Sequence, residues 1–200
     1  MEKPKQRSNN RNEHLLNAAA ELFSTQGFRG TTMRDIAMVS GMLPGSIYYH
    51  YGSKDELVVA VYEAGVALIV GSLENATRGI EDPTERLQAG LANHVEAITR
   101  NSHYMQVINR VLPEDVPGHE DVLRTLRAKY EACFRDLIEG LPLANGVNPT
   151  LLRLMILGAV NQTQFWFDPE GKMTPAEIGE AFARFLIEPI TQVERETADA

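Results

Sequence analysis

Ser46, Tyr48, Tyr49 and His50 crowd hydroxyl, aromatic and imidazole groups onto one short segment, and Lys54 adds a cation just beyond it. Thr32 and Arg34 extend this polar set upstream. Adjacent tyrosines on a helix project about 100° apart, so Tyr48 and Tyr49 cannot both face one core and at least one points outward. Side chains of these types suit a polyanion whose edges offer donors and acceptors. Catalytic chemistry has little to stand on: the chain carries no nucleophile elbow, phosphate loop or paired-histidine metal motif. His94, His103 and His119 lack ligand-type spacing, and Cys133, the single cysteine, allows neither an intrachain disulfide nor a thiolate metal framework. The expectation is a binding protein with no catalytic residues, no cofactor and no metal.

The elements that position these groups read as helices throughout. Asn10 with Glu13, Thr32 with Asp35, Ser53 with Glu56, Asp82 with Glu85, and Thr174 with Glu177 each place a capping side chain three residues before an acid. Asn148 followed by Pro149 adds a further start. Leu15, Ala18, Ala19, Leu22 and Phe23 form an i, i+3, i+4, i+7, i+8 stripe, and Gly27 ends that helix. Helices are predicted at 10–26, 32–39, 44–50, 54–78, 83–100, 103–112, 119–139, 149–167 and 175–194, an all-α chain. Pro189 is expected to kink or end the last one.

Within 31–57, Ile36, Ala37 and Val39 give a short helix its inner face, Gly41 permits a tight turn, and Ile47 anchors a second short helix begun by Pro44 and Gly45. Two short helices about a glycine turn are the layout of a helix-turn-helix, whose second helix enters the major groove. Leu43, just before that helix, cannot cap it with its side chain. Thr32, Lys54 and the tyrosine hydroxyls are expected on phosphates. Base reading falls to Arg34, Ser46 and whichever of Tyr48, Tyr49 and His50 reaches the groove floor.

The pattern AxxLF…GF…TTMRDIA…SG…GSIYYHYGSKDEL, over about residues 14–57, resembles the N-terminal domain of TetR-family repressors. Ala19, Leu22, Phe23, Gly27, Thr31, Thr32, Ile36, Ala37, Gly41, Gly45, Tyr48, His50, Ser53, Lys54 and Leu57 all stand where that pattern wants them. Leu43, where many members have Ser, and Tyr51, where Phe is common, depart from it. The resemblance implies nine helices, a DNA-binding domain at 1–53 and an effector-binding, dimerising domain at 54–200.

The charge distribution agrees with that division. The chain of 200 residues carries a net −8, yet residues 1–54 hold seven Lys/Arg against four acids. A basic head on an acidic body confines polyanion attraction to one end. The basic, polar N-terminus has no signal-peptide core, and the apolar stretch 154–167 is interrupted by Asn161, Gln162 and Gln164, so a cytoplasmic protein with no membrane span is expected.

In the body, Tyr62, His94, Tyr104, Tyr130, Asn161 and Gln164 are the polar candidates for an effector pocket among apolar helices. Leu154, Met155, Gly158 and Phe165, with Phe182 and Phe185, are candidates for a homodimer interface; a twofold dimer reads two half-sites where one short helix reads few bases. The segment QFWFDPEGKMT is similar to that of TetR-family members regulating lipid, steroid or acyl-CoA catabolism, which implies a small hydrophobic effector, with an acyl-CoA as one candidate. Two alternatives stand beside a ligand-released repressor on palindromic operator DNA. One is a TetR-like DNA-binding protein without a small-molecule effector. The other is a helical enzyme whose N-terminal motif has lost DNA binding.

Overall fold

The computed structural model describes the backbone of residues 4–100 and 103–196 and the side chains of residues 11–100 and 103–185. Among the described residues there are nine α-helices and no strand: α1 (Pro4–Thr25), α2 (Met33–Ser40), α3 (Pro44–His50), α4 (Lys54–Ala76), α5 (Pro83–Thr99), α6 (His103–Arg110), α7 (Glu120–Ile138), α8 (Pro149–Trp166) and α9 (Pro175–Glu196). A single 3-10 turn, Pro113–Asp115, follows α6.

Capping chemistry fixes most starts. Thr32 Oγ1 accepts from the Asp35 amide while the Thr32 amide donates to the Asp35 carboxylate, a complete capping box for α2. The same reciprocal pair joins Thr174 and Glu177 at α9. Asp82 caps α5 through the Glu85 amide, Asn148 Oδ1 takes the Thr150 and Leu151 amides of α8, and Ser53 Oγ takes the Glu56 amide of α4. Gly41, at φ 62°, closes α2 in the left-handed region that its lack of a Cβ opens.

Two expectations are corrected. Asn10 and Glu13 do not start α1, because the helix already runs from Pro4, where proline serves as the first helical residue and Lys5, Gln6 and Arg7 continue it readily. Pro189 does not end α9, which continues to Glu196; the side chain of Pro189 lies outside the described residues.

The contacts divide the chain into two units: 1–67 with 103–128, and 68–102 with 129–200. In the first, α1 packs on α2 and α6, and α2 on α3. Leu15, Ala19, Phe23, Ile36, Ile47, Leu57 and Val61 are buried there. Polar ties join α1 to α6 as well: Ser24 Oγ lies 2.8 Å from His103 Nδ1, Tyr104 donates to Asn17 Oδ1 at 2.8 Å, and Arg110 donates to the Ser24 carbonyl at 2.7 Å.

In the second unit α5 packs against α8 and α9. Gly179 makes the α5 to α9 approach possible, since a Cβ there would fall 2.4 Å from Ala92 Cα. By length and composition α4 is apolar enough to cross a membrane, a property the sequence reading passed over; Val58, Val61, Tyr62, Val66, Ile69 and Leu73 are buried in the protein itself, as in a core helix.

Candidate nucleic-acid interface and effector site

Short helix α3 is held by one buried residue, Ile47, with the rest of its surface open. Ser46, Tyr48, Tyr49 and His50 are all exposed, Tyr49 by 87%, so the angular argument that one tyrosine faces out understates the result: both do. The Tyr49 and His50 rings meet edge to face at 5.4 Å. Gly45 has nothing within 4 Å of where a Cβ would stand, leaving the backbone of the first turn approachable. Arg34 is exposed on α2. At the helix exit, Tyr51 donates to Asn12 Oδ1 on α1 at 3.0 Å.

Two expected phosphate contacts are already engaged within the protein. Lys54 Nζ donates to the Phe28 and Thr31 carbonyls at 2.7 and 3.0 Å and sits 4.5 Å from the centroid of the Phe28 ring. Its ammonium staples the loop after α1, and one of its three N–H groups is left for any other role. Thr32 Oγ1 donates to Asp35 at 2.6 Å, and these bonds from Thr32 hold the Asp35 carboxyl below the usual carboxylate range. The sequence reading missed Arg11 and His14 of α1. They lie within the helix predicted at 10–26 but were not singled out there, and they line an open hollow of about 740 Å³ with Leu43, Ser46, Tyr49 and His50, across elements whose packing the sequence does not show.

Of the six polar candidates for the effector, four come together in the second unit. His94 Nε2 lies 2.9 Å from Asn161 Oδ1, the Tyr130 hydroxyl donates to the same oxygen at 3.0 Å, and Gln164 donates to the Asn161 carbonyl at 2.9 Å. Asn161 Oδ1 accepts only, so His94 carries its proton on Nε2 and presents Nδ1 as a bare acceptor. That Nδ1 is buried without a partner, as is Gln164 Oε1. Burial pushes the His94 imidazole down to about 4, against a smaller opposing effect of Asn161, so the ring is neutral. Phe134 stacks edge-on to it at 4.8 Å. Tyr62 and Tyr104 belong to the first unit and are engaged there. The Tyr62 hydroxyl donates to the Ile108 carbonyl at 3.3 Å, and burial, with Glu13 and Tyr51 nearby, pushes the Tyr104 phenol up to about 12.

An apolar stripe runs along α8. Leu151, Leu154, Met155, Phe165 and Trp166 are about half exposed or more, Gly158 is open between them, and Phe185 of α9 is 69% exposed. Phe182 is partly covered and meets Trp166 edge to face at 6.4 Å. Beside the stripe, Trp166, Phe167, Met173, Ile178 and Phe182 line a cavity of about 350 Å³ with Asp168 and Lys172 among its walls.

Residues 15–61 match the family model described as bacterial regulatory proteins, tetR family, and residues 81–190 match the Tetracyclin repressor-like C-terminal domain. HTH-type transcriptional repressor KstR2 of Mycobacterium tuberculosis is 27% identical over 191 residues, covering 92% of this chain and 94% of that protein. Its structure, described as a ketosteroid transcriptional regulator, aligns with a TM-score of 0.74 at 24% identity over 90% of this chain and 95% of that one. HTH-type transcriptional activator FasR of Mycolicibacterium smegmatis is 25% identical over 162 residues, 79% of this chain and 73% of that protein. AibR, solved in complex with isovaleryl coenzyme A and operator DNA, aligns with a TM-score of 0.76 at 24% identity over 88% of this chain and 98% of that one.

Proposed function

The chain belongs to the TetR family of bacterial regulatory proteins, and from that premise we propose that it is a homodimeric repressor, released from a palindromic operator by a small hydrophobic effector. The observation that carries this is α3, whose surface outside Ile47 is left open and polar. In this reading residues 1–53 bind DNA, with Arg34, Ser46, Tyr48, Tyr49 and His50 facing bases or phosphates, and residues 54–200 dimerise and hold the effector. The protein acts in the cytoplasm, by binding rather than catalysis.

The exposed apolar stripe of α8, with Phe182 and Phe185 of α9, supports these helices as the face that a second copy covers, since apolar area of this extent on one face is a liability for a monomer. His94, Tyr130, Asn161 and Gln164 converge in the second unit, and a few convergent polar groups of this kind are what orients a ligand, which supports this cluster as the place to look for the effector. The effector class to test first is an acyl-CoA thioester, because AibR was solved with isovaleryl coenzyme A. Release requires the effector to bind the operator-incompetent state more tightly than the competent one.

The test is electrophoretic mobility shift on the DNA upstream of the chain's own gene, followed by titration with acyl-CoAs and the matching free acids. Specific binding that Tyr49→Ala and His50→Ala weaken by about 1–3 kcal/mol per lost base contact, and that an acyl-CoA reverses, is the expected result. Binding unchanged in both variants would remove the contact assignment, and heat from neither ligand class in calorimetry would remove the effector class. Because a relative, FasR, is named an activator, the sign of regulation is read separately by transcription from the bound promoter.

A further inference from the structure

Met38, Leu43, Tyr48 and Tyr49 lie open to water on the helix-turn-helix, as does Val39, which was expected on the inner face of α2, where Met33, Ile36, Ala37 and Ser40 are buried instead. Leu43 carries an inference furthest. It holds the N-cap position of α3, where Ser, Thr, Asp or Asn would bind a free helix amide; its side chain makes no such bond, and the residue is 75% exposed. The position therefore forgoes both a cap and burial in the free protein. Residues at the start of the second helix of a helix-turn-helix reach base edges, and among the groups displayed in the major groove the thymine C5-methyl is the apolar one.

The rest of α3, PGSIYYH, contains no Arg, Lys, Asn or Gln, the side chains that pair in bidentate fashion with guanine or adenine. Readout by this helix is left to hydroxyl, imidazole and apolar contact. Leu43 shares its hollow with Arg11, His14 and His50, and residues 1–54 carry more basic than acidic side chains, so the complementary occupant is a polyanion with an apolar projection. Building on the DNA-binding function above, we propose that Leu43 is a specificity-determining residue that reads a thymine in each operator half-site by packing against its C5-methyl.

The experiment selects a duplex from a randomised library with the full-length chain, then replaces each thymine in turn by deoxyuridine, which removes only the methyl. Affinity is read by fluorescence anisotropy at fixed salt. One thymine per half-site should cost the wild type about fourfold on replacement, the value of one buried methyl. Replacing both symmetry mates should cost about 15-fold. Leu43→Ala should bind the thymine and deoxyuridine duplexes equally at that position, while Leu43→Met keeps the discrimination. A wild type indifferent to every replacement, or a Leu43→Ala variant that retains the wild-type cost, overturns the proposal. Failure of the chain to select any duplex overturns the DNA-binding function itself, and this proposal with it.

Discussion

Acidification from pH 7 to pH 5 should weaken the fold through His94, and the size of the effect follows from its surroundings. The ring is fully buried against Phe134 and Tyr130, donates from Nε2 to Asn161, and has no partner at Nδ1. Protonation would add the ring's second proton, at the unpartnered Nδ1, and place a charge in an apolar core. In the unfolded chain the imidazole titrates at its ordinary 6.5, whereas in the folded protein it is held down to about 4. Between those values the unfolded state binds more protons, so stability rises with pH: the contribution is complete above 6.5 and is lost as pH falls toward 4. At about 1.4 kcal/mol per pKa unit the whole effect is about 3 kcal/mol, of which about 2 kcal/mol is gone at pH 5. Urea unfolding of the wild type and of His94→Gln, at one fixed protomer concentration, measures it. The wild type should lose about 2 kcal/mol more than the variant between pH 7 and pH 5. Equal losses in the two proteins would refute the buried, neutral imidazole that the proposed effector cluster contains.

Three further outcomes follow from single side chains. Gly179→Ala puts a methyl 2.4 to 2.6 Å from the Ala92 and Leu91 backbone, which cannot move aside as a side chain can; it should cost about 3 kcal/mol and lower Tm by roughly 6–12 °C, and an unchanged Tm would contradict the close approach of α5 and α9. Gly158 has nothing within 4 Å of where a Cβ would stand, so Gly158→Arg, its side chain leaving from an open helix face, should leave the fold intact yet yield a monomer in sedimentation equilibrium; a variant that stays dimeric would move the proposed interface elsewhere. Lys54→Ala strips the donor from two loop carbonyls and should cost about 1–3 kcal/mol in thermal unfolding while leaving the salt dependence of DNA binding unaltered. A salt slope reduced by about one would return this ammonium to a phosphate.

Helix positions were legible because their signals are local. Thr32 with Asp35, Asp82 with Glu85, Asn148 with Pro149 and Thr174 with Glu177 each settle a start within four residues of chain, and the structure repeats those starts. Asn10 with Glu13 shows the limit of such signals: the same pattern inside a longer run of helix formers starts no helix. The outward tyrosines of α3 were legible in part, since angular spacing forbids a shared core but cannot say that Ile47 alone would be buried. What the sequence could not disclose depends on distant neighbours. Lys54 finds its carbonyls on the loop after α1, and Tyr62 spends its hydroxyl on Ile108, while His94, Tyr130 and Asn161 converge only because three separate helices pack. Residue type announced polar groups among apolar helices; packing alone decided which of them meet.

The ties between α1 and α6 bear on how such a protein can be recombined. Asn17 and Ser24 belong to the sequence segment of the DNA-binding head, yet their partners Tyr104, His103 and Arg110 are encoded far downstream. A chimera spliced after residue 53 would graft a foreign α1 onto an α6 fitted to another surface, stranding these donors and acceptors. A graft that also transfers 103–128 keeps the matched set. Exchange of heads between relatives is therefore a two-segment transplant, and substitutions at 17 and 24 should be tolerated best when 104 and 103 change with them.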